Sequence, residues 1–145
     1  MNYHLGFSFK GFVVFLLPMI PNIFYFLIPT SGASRSNINS HIILDVLEHG
    51  SQALFFFMII FVIRKQIYKN ICPYTVGMAI MLLFYYVFWI FCFTGESNII
   101  ILLAMAVLPV IYFTFAEIWL NNYLSIIPTA LFGIIHVIIT YLDFS

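Results

Sequence analysis

Charge is scarce in this chain. Only 7% of its 145 residues are Asp, Glu, Lys or Arg, and five bases against five acids leave a formal net charge of zero. A water-soluble domain keeps about 25% charged residues on its surface, so a soluble globule is excluded. No basic surface is available to neutralise phosphates along a nucleic acid, and that class of partner is excluded as well. Cysteine is equally sparse: Cys72 and Cys92 form neither a Cys-x-x-Cys pair nor a disulfide framework. The chain has no Gly-x-x-x-x-Gly-Lys-Ser/Thr loop, so it cannot drive transport by its own nucleotide hydrolysis. Glu48-His49 reverses the order that a His-Glu-x-x-His zinc helix requires. His49-Gly50-Ser51-Gln52, with His136 as a distant base, lacks the Gly-x-Ser-x-Gly turn and the oxyanion loop of a serine hydrolase. The expectation is a protein with no catalytic residues and no cofactor.

Apolar side chains fill the space that charge leaves. Hydrophobic residues make up 64% of the chain and aromatic residues 20%, and the mean hydropathy is +1.12. A helix needs about 20 apolar residues to cross a bilayer, and five stretches meet that requirement: 11–29, 41–63, 71–93, 99–119 and 123–141. The expected fold is all-α, a polytopic bundle of five transmembrane helices forming one integral membrane domain over 1–145. The last two spans are joined only by Leu120, Asn121 and Asn122, which predicts a tight antiparallel hairpin. Merging them would give a crossing far too long, interrupted by Pro109, Glu117 and Pro128. The first span exceeds the 7–15 apolar residues of a signal peptide and contains Pro18, Pro21 and Asn22, so it reads as a retained, kinked helix.

Lys and Arg concentrate in short cytoplasmic loops. Arg64, Lys65 and Lys69 lie between spans two and three, with Lys10 before span one, whereas Arg35 is alone in the loop from Thr30 to Ser40. This asymmetry predicts a multi-pass protein of the cell membrane with its N-terminus cytoplasmic and its C-terminus outside. Cys72 and Cys92 then lie at opposite ends of span three, roughly 30 Å apart, too far to pair. Trp119, Tyr25, Tyr68, Tyr74, Trp89, Tyr123 and Tyr141 read as interface anchors, and Phe55, Phe56 and Phe57 as lipid-facing or packing bulk. Glu117, at the inner end of span four, can pair with Arg64, Lys65 or water. Pro18, Pro21, Pro109 and Pro128 free backbone carbonyls and predict kinks.

The start of span two carries the polar signal. Asp45, Glu48, His49 and Gln52 fall at i, i+3, i+4 and i+7, within an arc of roughly 100° on one helix face. Asp45 can reach His49 and Glu48 can reach Gln52. Counting inward from the outer ends at about 1.5 Å per residue puts Glu48 and His49 at roughly 10–12 Å, Asn22 at about 10 Å and His136 at about 8–10 Å. The prediction is an outer-leaflet polar pocket among spans one, two and five, made of Asn22, Asp45, Glu48, His49, Gln52 and His136. Tyr85 and Tyr86 lie at a similar depth and could add a hydroxyl. Ionisable residues inside a membrane are costly and mark functional candidates, although acids in a first helical turn also have the dipole to explain them.

Three uses of such a cluster differ in what else they require. Two histidines on different helices could hold a metal or haem, with Gly133 leaving room one turn before His136, but Glu48 and Gln52 make the surroundings polar; the metal is unknown. Proton-coupled movement of a small polar solute could exploit a Glu beside a His, but five spans do not divide into two inverted repeats, so a transporter would need to be an oligomer. A non-enzymatic binding or accessory subunit, receiving a partner helix, a second copy, a lipid or a small polar ligand, asks least of the chain and is the expected function. Two stretches, from His41 to Phe61 with Asp45-Val46-Leu47-Glu48 and from Leu124 to Asp143 with Pro128, Phe132 and His136, resemble uncharacterised small multi-span membrane proteins of low-GC Gram-positive bacteria. The resemblance implies the multi-span fold and brings no activity. Gln52 stands where those proteins often carry an Arg shortly after the glutamate.

Overall fold

The computed structural model describes residues 2–28, 41–65 and 70–144. Its elements in chain order are β1 (Tyr3–Leu5), α1 (Phe9–Leu27), α2 (Ile42–Phe61), β2 (Val62–Arg64), α3 (Pro73–Phe93), α4 (Ile99–Trp119), a 3-10 turn (Tyr123–Ser125) and α5 (Ile126–Phe144). All five α-helices are long and apolar enough to cross a membrane, and no more than 33% of any spanning stretch is buried within the protein. Phe26, Leu27, Ile43, Ile100 and Ile127 are among the many large apolar side chains on the outer surface. Such a surface requires lipid, not water, around it. The predicted loop from Thr30 to Ser40 with Arg35, together with Tyr68 and Lys69, lies outside the described residues.

The expected spans and the observed helices agree to within three residues at every end, and two of the differences have clear local reasons. Helix α2 stops at Phe61 because Val62–Arg64 leaves the helix to pair antiparallel with Tyr3–Leu5, Tyr3 opposite Arg64. The pairing continues through Gly6 N–H to the Phe61 carbonyl at 2.9 Å and Ser8 N–H to the Ile60 carbonyl at 2.8 Å, which satisfies carbonyls that a helix end leaves open. Three-residue strands carry no periodicity signal, so this ribbon was not legible in the sequence. The α4–α5 hairpin is as tight as predicted. Leu120, Asn121 and Asn122 N–H groups all turn back onto α4 carbonyls, Asn122 onto Glu117 at 2.7 Å, with Asn121 at a φ of 56°, a conformation that Asn tolerates better than most side chains. Because of the short 3-10 turn, α5 starts only at Ile126.

The core is aromatic and lies in the half of the bundle nearer Lys10. Phe55 is fully buried between Phe113, at 5.1 Å between ring centroids, and Phe132, at 5.4 Å. Ile59, Met78, Tyr112 and Ala116 complete the layer. Of the Phe55-Phe56-Phe57 run, Phe55 is core, Phe56 is half-buried against Phe15, and Phe57 faces outward. Helix α1 crosses α2 at Gly11, where a Cβ would lie 2.0 Å from the Ile59 carbonyl oxygen, so only glycine permits the approach. From there α1 leans away from α2 and onto α3 and α4.

The two prolines of α1 explain how it is held. Pro18 has no N–H for the Val14 carbonyl four residues earlier, and Pro21 has none for that of Leu17. Tyr112 of α4 donates its hydroxyl to the Val14 carbonyl at 3.0 Å, and Tyr86 of α3 donates to the Leu17 carbonyl at 2.5 Å. Each carbonyl released by a proline is thus taken by a tyrosine of a neighbouring helix. The sequence predicted the freed carbonyls but not their partners.

Candidate functional site

Helix α2 buries a stripe made of Ser51, Phe55, Ile59 and Ile60. Extended one turn toward the N-terminus, the same stripe passes through Glu48, whose side chain is only 12% exposed. The α5 stripe of Thr129, Phe132, Gly133 and Ile139 likewise passes beside His136. Where the two antiparallel helices meet, the Glu48 carboxylate and His136 Nδ1 form a hydrogen-bonded pair. Two members of the cluster expected at one depth, Glu48 and His136, are thus brought together. Phe132 stacks on the His136 ring, with centroids 5.1 Å apart and planes within 16°. Thr140 donates to the His136 carbonyl at 2.7 Å, and Ser51 donates to the carbonyls of Leu47 at 2.7 Å and Glu48 at 3.0 Å. Backbone and ring are consequently both fixed around the pair.

The other predicted members are placed differently. His49 is 75% exposed; it stands about 100° around the helix from Glu48 and so leaves the buried stripe. Its Nδ1 lies 2.8 Å from the Asp45 backbone carbonyl and 3.9 Å from the second Glu48 oxygen. A carbonyl can only accept, so Nδ1 carries the hydrogen and Nε2 is directed away from the helix backbone. The Asp45 side chain is exposed and does not take the ring, and Gln52 is half-buried one turn further on. The Glu48 carboxylate turns to His136, not to Gln52. Asn22 sits on the far side of the bundle, because α1 has leaned away from α2; its amide donates to the Pro18 carbonyl at 3.3 Å and to the Tyr85 hydroxyl at 3.3 Å. Of the six residues, Glu48 and His136 therefore form a half-buried pair, Asp45 and His49 an exposed face, and Asn22 a separate contact with Tyr85, while Gln52 joins none of these.

The space expected beside Gly133 for a flat ligand is filled: a Cβ there would already lie 2.7 Å from Val110 of α4. Among the described residues no group of three His, Cys, Asp or Glu side chains is placed to hold a metal ion.

A second polar cluster occupies the opposite end of the bundle. Glu117 is fully buried and accepts from the Thr129 hydroxyl, with the buried Ser125 hydroxyl facing the same carboxyl. This replaces the expected pairing with Arg64, Lys65 or water. The reason is the tight hairpin, which lays the first turn of α5 directly on the last turn of α4. Arg64 instead donates to the Asn121 side-chain oxygen at 3.0 Å, and the Asn122 amide donates to the Met58 and Val62 carbonyls at 2.8 and 3.2 Å. Asn121 and Asn122 are thus more than turn formers: they tie the hairpin to the end of α2. Sequence reasoning missed this because side chains that bond to backbone carbonyls of another helix leave no spacing signal.

Compared with known protein families, curated proteins and solved structures, the chain matches none. Its function has to be argued from its own residues.

Proposed function

We propose that this protein is a non-enzymatic accessory subunit of a cell membrane, which receives a partner helix on the outer-leaflet part of α2. The observation that carries this reading is the exposure of His49. Its imidazole is 75% exposed on a helix long and apolar enough to cross a membrane, roughly 10 Å inward from Ile42 at about 1.5 Å per residue. A ring nitrogen facing lipid hydrocarbon at that depth is costly, and polar side chains in such positions are ordinarily covered by hydrogen bonds from another helix. Asp45 extends the same face toward the headgroups. The Glu48–His136 pair behind it fixes α2 against α5 and so presents that face rigidly. The partner is another membrane protein or a second copy of this chain.

The orientation we propose follows the charges. Lys10, Arg64 and Lys65 gather at one end of the bundle, and Asp45, Glu96 and Asp143 at the other. The first end is then cytoplasmic and carries the N-terminus, while the C-terminus is outside.

A photo-crosslinking residue placed at the exposed Ala53, one turn from His49, tests the subunit reading in native membranes. The expected result is one discrete protein adduct, or an adduct of doubled mass, that His49→Ala abolishes. Labelling of lipid alone would overturn it, and solute-dependent flux in proteoliposomes of the purified protein would replace it with proton-coupled transport.

A further inference from the structure

The end of the bundle that carries Lys10 holds a cleft of about 160 Å³, lined by Ser8, Lys10, Arg64 and Trp119 together with Val62, Ile63 and other aliphatic residues. We propose that this cleft is a binding site for a phosphate group, supplied either by the headgroup of an anionic phospholipid or by free inorganic phosphate.

Charge is the first argument. Two cationic side chains share one small cleft, and among the described residues neither has a carboxylate within ion-pair distance; the pairs that do occur involve histidine and Glu48. Lys10 donates to the Asn70 side-chain oxygen at 3.2 Å, and Arg64 donates to that of Asn121 at 3.0 Å. Amide oxygens orient a cation without neutralising it. The one acid at this end of the bundle among the described residues, Glu117, is fully buried and occupied by Thr129. The two positive charges therefore act together on whatever enters the cleft.

Geometry supplies the second argument. The Lys10 ammonium is held 5.2 Å from the centre of the Trp119 ring, and the Arg64 guanidinium 5.8 Å from that of Tyr3. Arg64 is fixed further by the β1–β2 pairing. Cations already oriented by ring and amide contacts bind a tetrahedral anion with less ordering cost, and a guanidinium matches two phosphate oxygens at once. Helix α1 also begins in the cleft wall, with Ser8 as its N-cap accepting from Gly11 N–H at 3.0 Å, so the positive end of its dipole adds to the same field. The location suits a headgroup: the cleft lies at the end of the bundle where α1 starts and α4 stops, with a Trp and aliphatic residues in its lining that can meet a glycerol backbone. Basic pockets between transmembrane helices recognise lipid headgroups by this combination.

The test uses the full-length protein in maltoside detergent, with Trp fluorescence read in a Trp89→Phe background so that Trp119 reports on the cleft, and with thermal unfolding followed in parallel. The probes are dioctanoyl phosphatidylglycerol, dioctanoyl phosphatidylcholine, and sodium phosphate against sodium chloride at equal ionic strength. The expected result is a saturable change in Trp119 emission and a rise in Tm with phosphatidylglycerol, and neither with phosphatidylcholine. Lys10→Gln should weaken it at least tenfold, and Lys10→Arg should restore it. If sodium phosphate alone reproduces the response, the free anion is the ligand; if only phosphatidylglycerol does, the lipid is. Absence of a saturable response to both, or equal titrations of wild type, Lys10→Gln and Arg64→Gln, would overturn the proposal. Should Arg64→Gln fail to fold, Lys10→Gln, which alters an exposed side chain, decides the matter alone.

Discussion

Replacing Tyr112 by Phe tests whether a tyrosine of one helix stands in for the backbone donor that a proline removes from another. Tyr112 is 2% exposed and Val14 5%, so deletion of the hydroxyl leaves the Val14 carbonyl buried without the donor it now has at 3.0 Å. An orphaned buried acceptor costs about 1–3 kcal/mol, and hydrogen bonds between membrane helices are worth about 0.6–1.7 kcal/mol. Tyr112→Phe should thus destabilise the protein by about 1–2 kcal/mol. The decisive perturbation is the second one. Pro18→Ala restores an N–H four residues after Val14, so in that background the carbonyl is satisfied inside α1 and Tyr112→Phe should cost less than about 0.5 kcal/mol. The coupling in the double-mutant cycle is then about 1 kcal/mol, whatever Pro18→Ala itself does to the packing of α1. Equilibrium unfolding of the purified protein in mixed micelles, with a label pair on α1 and α4, measures all four states. A Tyr112→Phe cost that is the same in the wild-type and Pro18→Ala backgrounds would refute the reasoning, because the hydroxyl would then contribute independently of the missing N–H. Tyr86→Phe with Pro21→Ala forms the parallel cycle.

Gly11→Ala should destabilise the protein by about 1–3 kcal/mol, because the new Cβ would lie 2.0 Å from the Ile59 carbonyl oxygen and two backbones must part; its helix-propensity gain of up to about 1 kcal/mol is smaller. Gly50→Ala, with nothing within 4 Å of the added Cβ, should be neutral or stabilising in the same unfolding assay, and equal costs at the two positions would contradict the crossing geometry. Glu48→Ala should cost about 1–3 kcal/mol by leaving His136 without its partner, Glu48→Gln clearly less, and His49→Ala under about 0.5 kcal/mol; a His49 effect as large as that of Glu48 would mean that the carboxylate serves the wrong imidazole. Cys72, just before α3, has its thiol held below the ordinary value, chiefly by the Thr75 backbone N–H directed at its sulfur. The thiolate is the reactive form, so alkylation of Cys72 should rise at lower pH than that of free cysteine. A membrane-impermeant maleimide should reach Cys72 from the side that carries Lys10, and labelling from the side of Glu96 would reverse the proposed orientation.

Five spans were legible because each needs only an uninterrupted apolar run of fixed length, and the chain has too few charges to blur them. Depth was legible for the same reason: a constant rise per residue placed Glu48 and His136 at one level, and they meet. Azimuth was harder. An arc of roughly 100° holds Asp45, Glu48, His49 and Gln52 together on a helical wheel, but only the part that faces α5 is buried, and that divides Glu48 from its neighbour His49. Asn22 matched in depth and still fell elsewhere, since the lean of α1 depends on the Gly11 crossing and on Tyr86 and Tyr112 seizing two carbonyls. The β1–β2 ribbon and the Asn122 contacts to α2 carbonyls depend on tertiary proximity alone, which no spacing encodes. Glu117 was misjudged because a neighbouring cation looks like the natural partner of an acid, whereas the three-residue turn brings Thr129 closer than any cation.

Between the Glu48–His136 pair and the Lys10–Arg64 cleft, α2 presents Phe55 and Ile59 to the interior, fully or almost fully buried. The rings of Phe113 and Phe132 close on Phe55 from α4 and α5, and Met78 and Tyr112 complete the layer. A polar solute passing through one copy of the bundle would have to part this layer and lose its hydration against aromatic faces, with no buried polar side chain in the layer to compensate except the Tyr112 hydroxyl, which is already committed to Val14. Rings this close do not part in small steps, because a packed core has discrete arrangements and does not deform continuously. The two polar regions are therefore better understood as separate surfaces, one at the end of the bundle that carries Asp45 and one at the end that carries Lys10, than as the mouths of a shared path. Enlarging the passage makes the distinction measurable. Phe55→Ala should leave both the crosslink at Ala53 and the phosphatidylglycerol response of Trp119 within about twofold of wild type if the surfaces are independent, at a stability cost of about 3–5 kcal/mol. Simultaneous loss of both responses in variant protein that is still folded would show that the aromatic layer couples them.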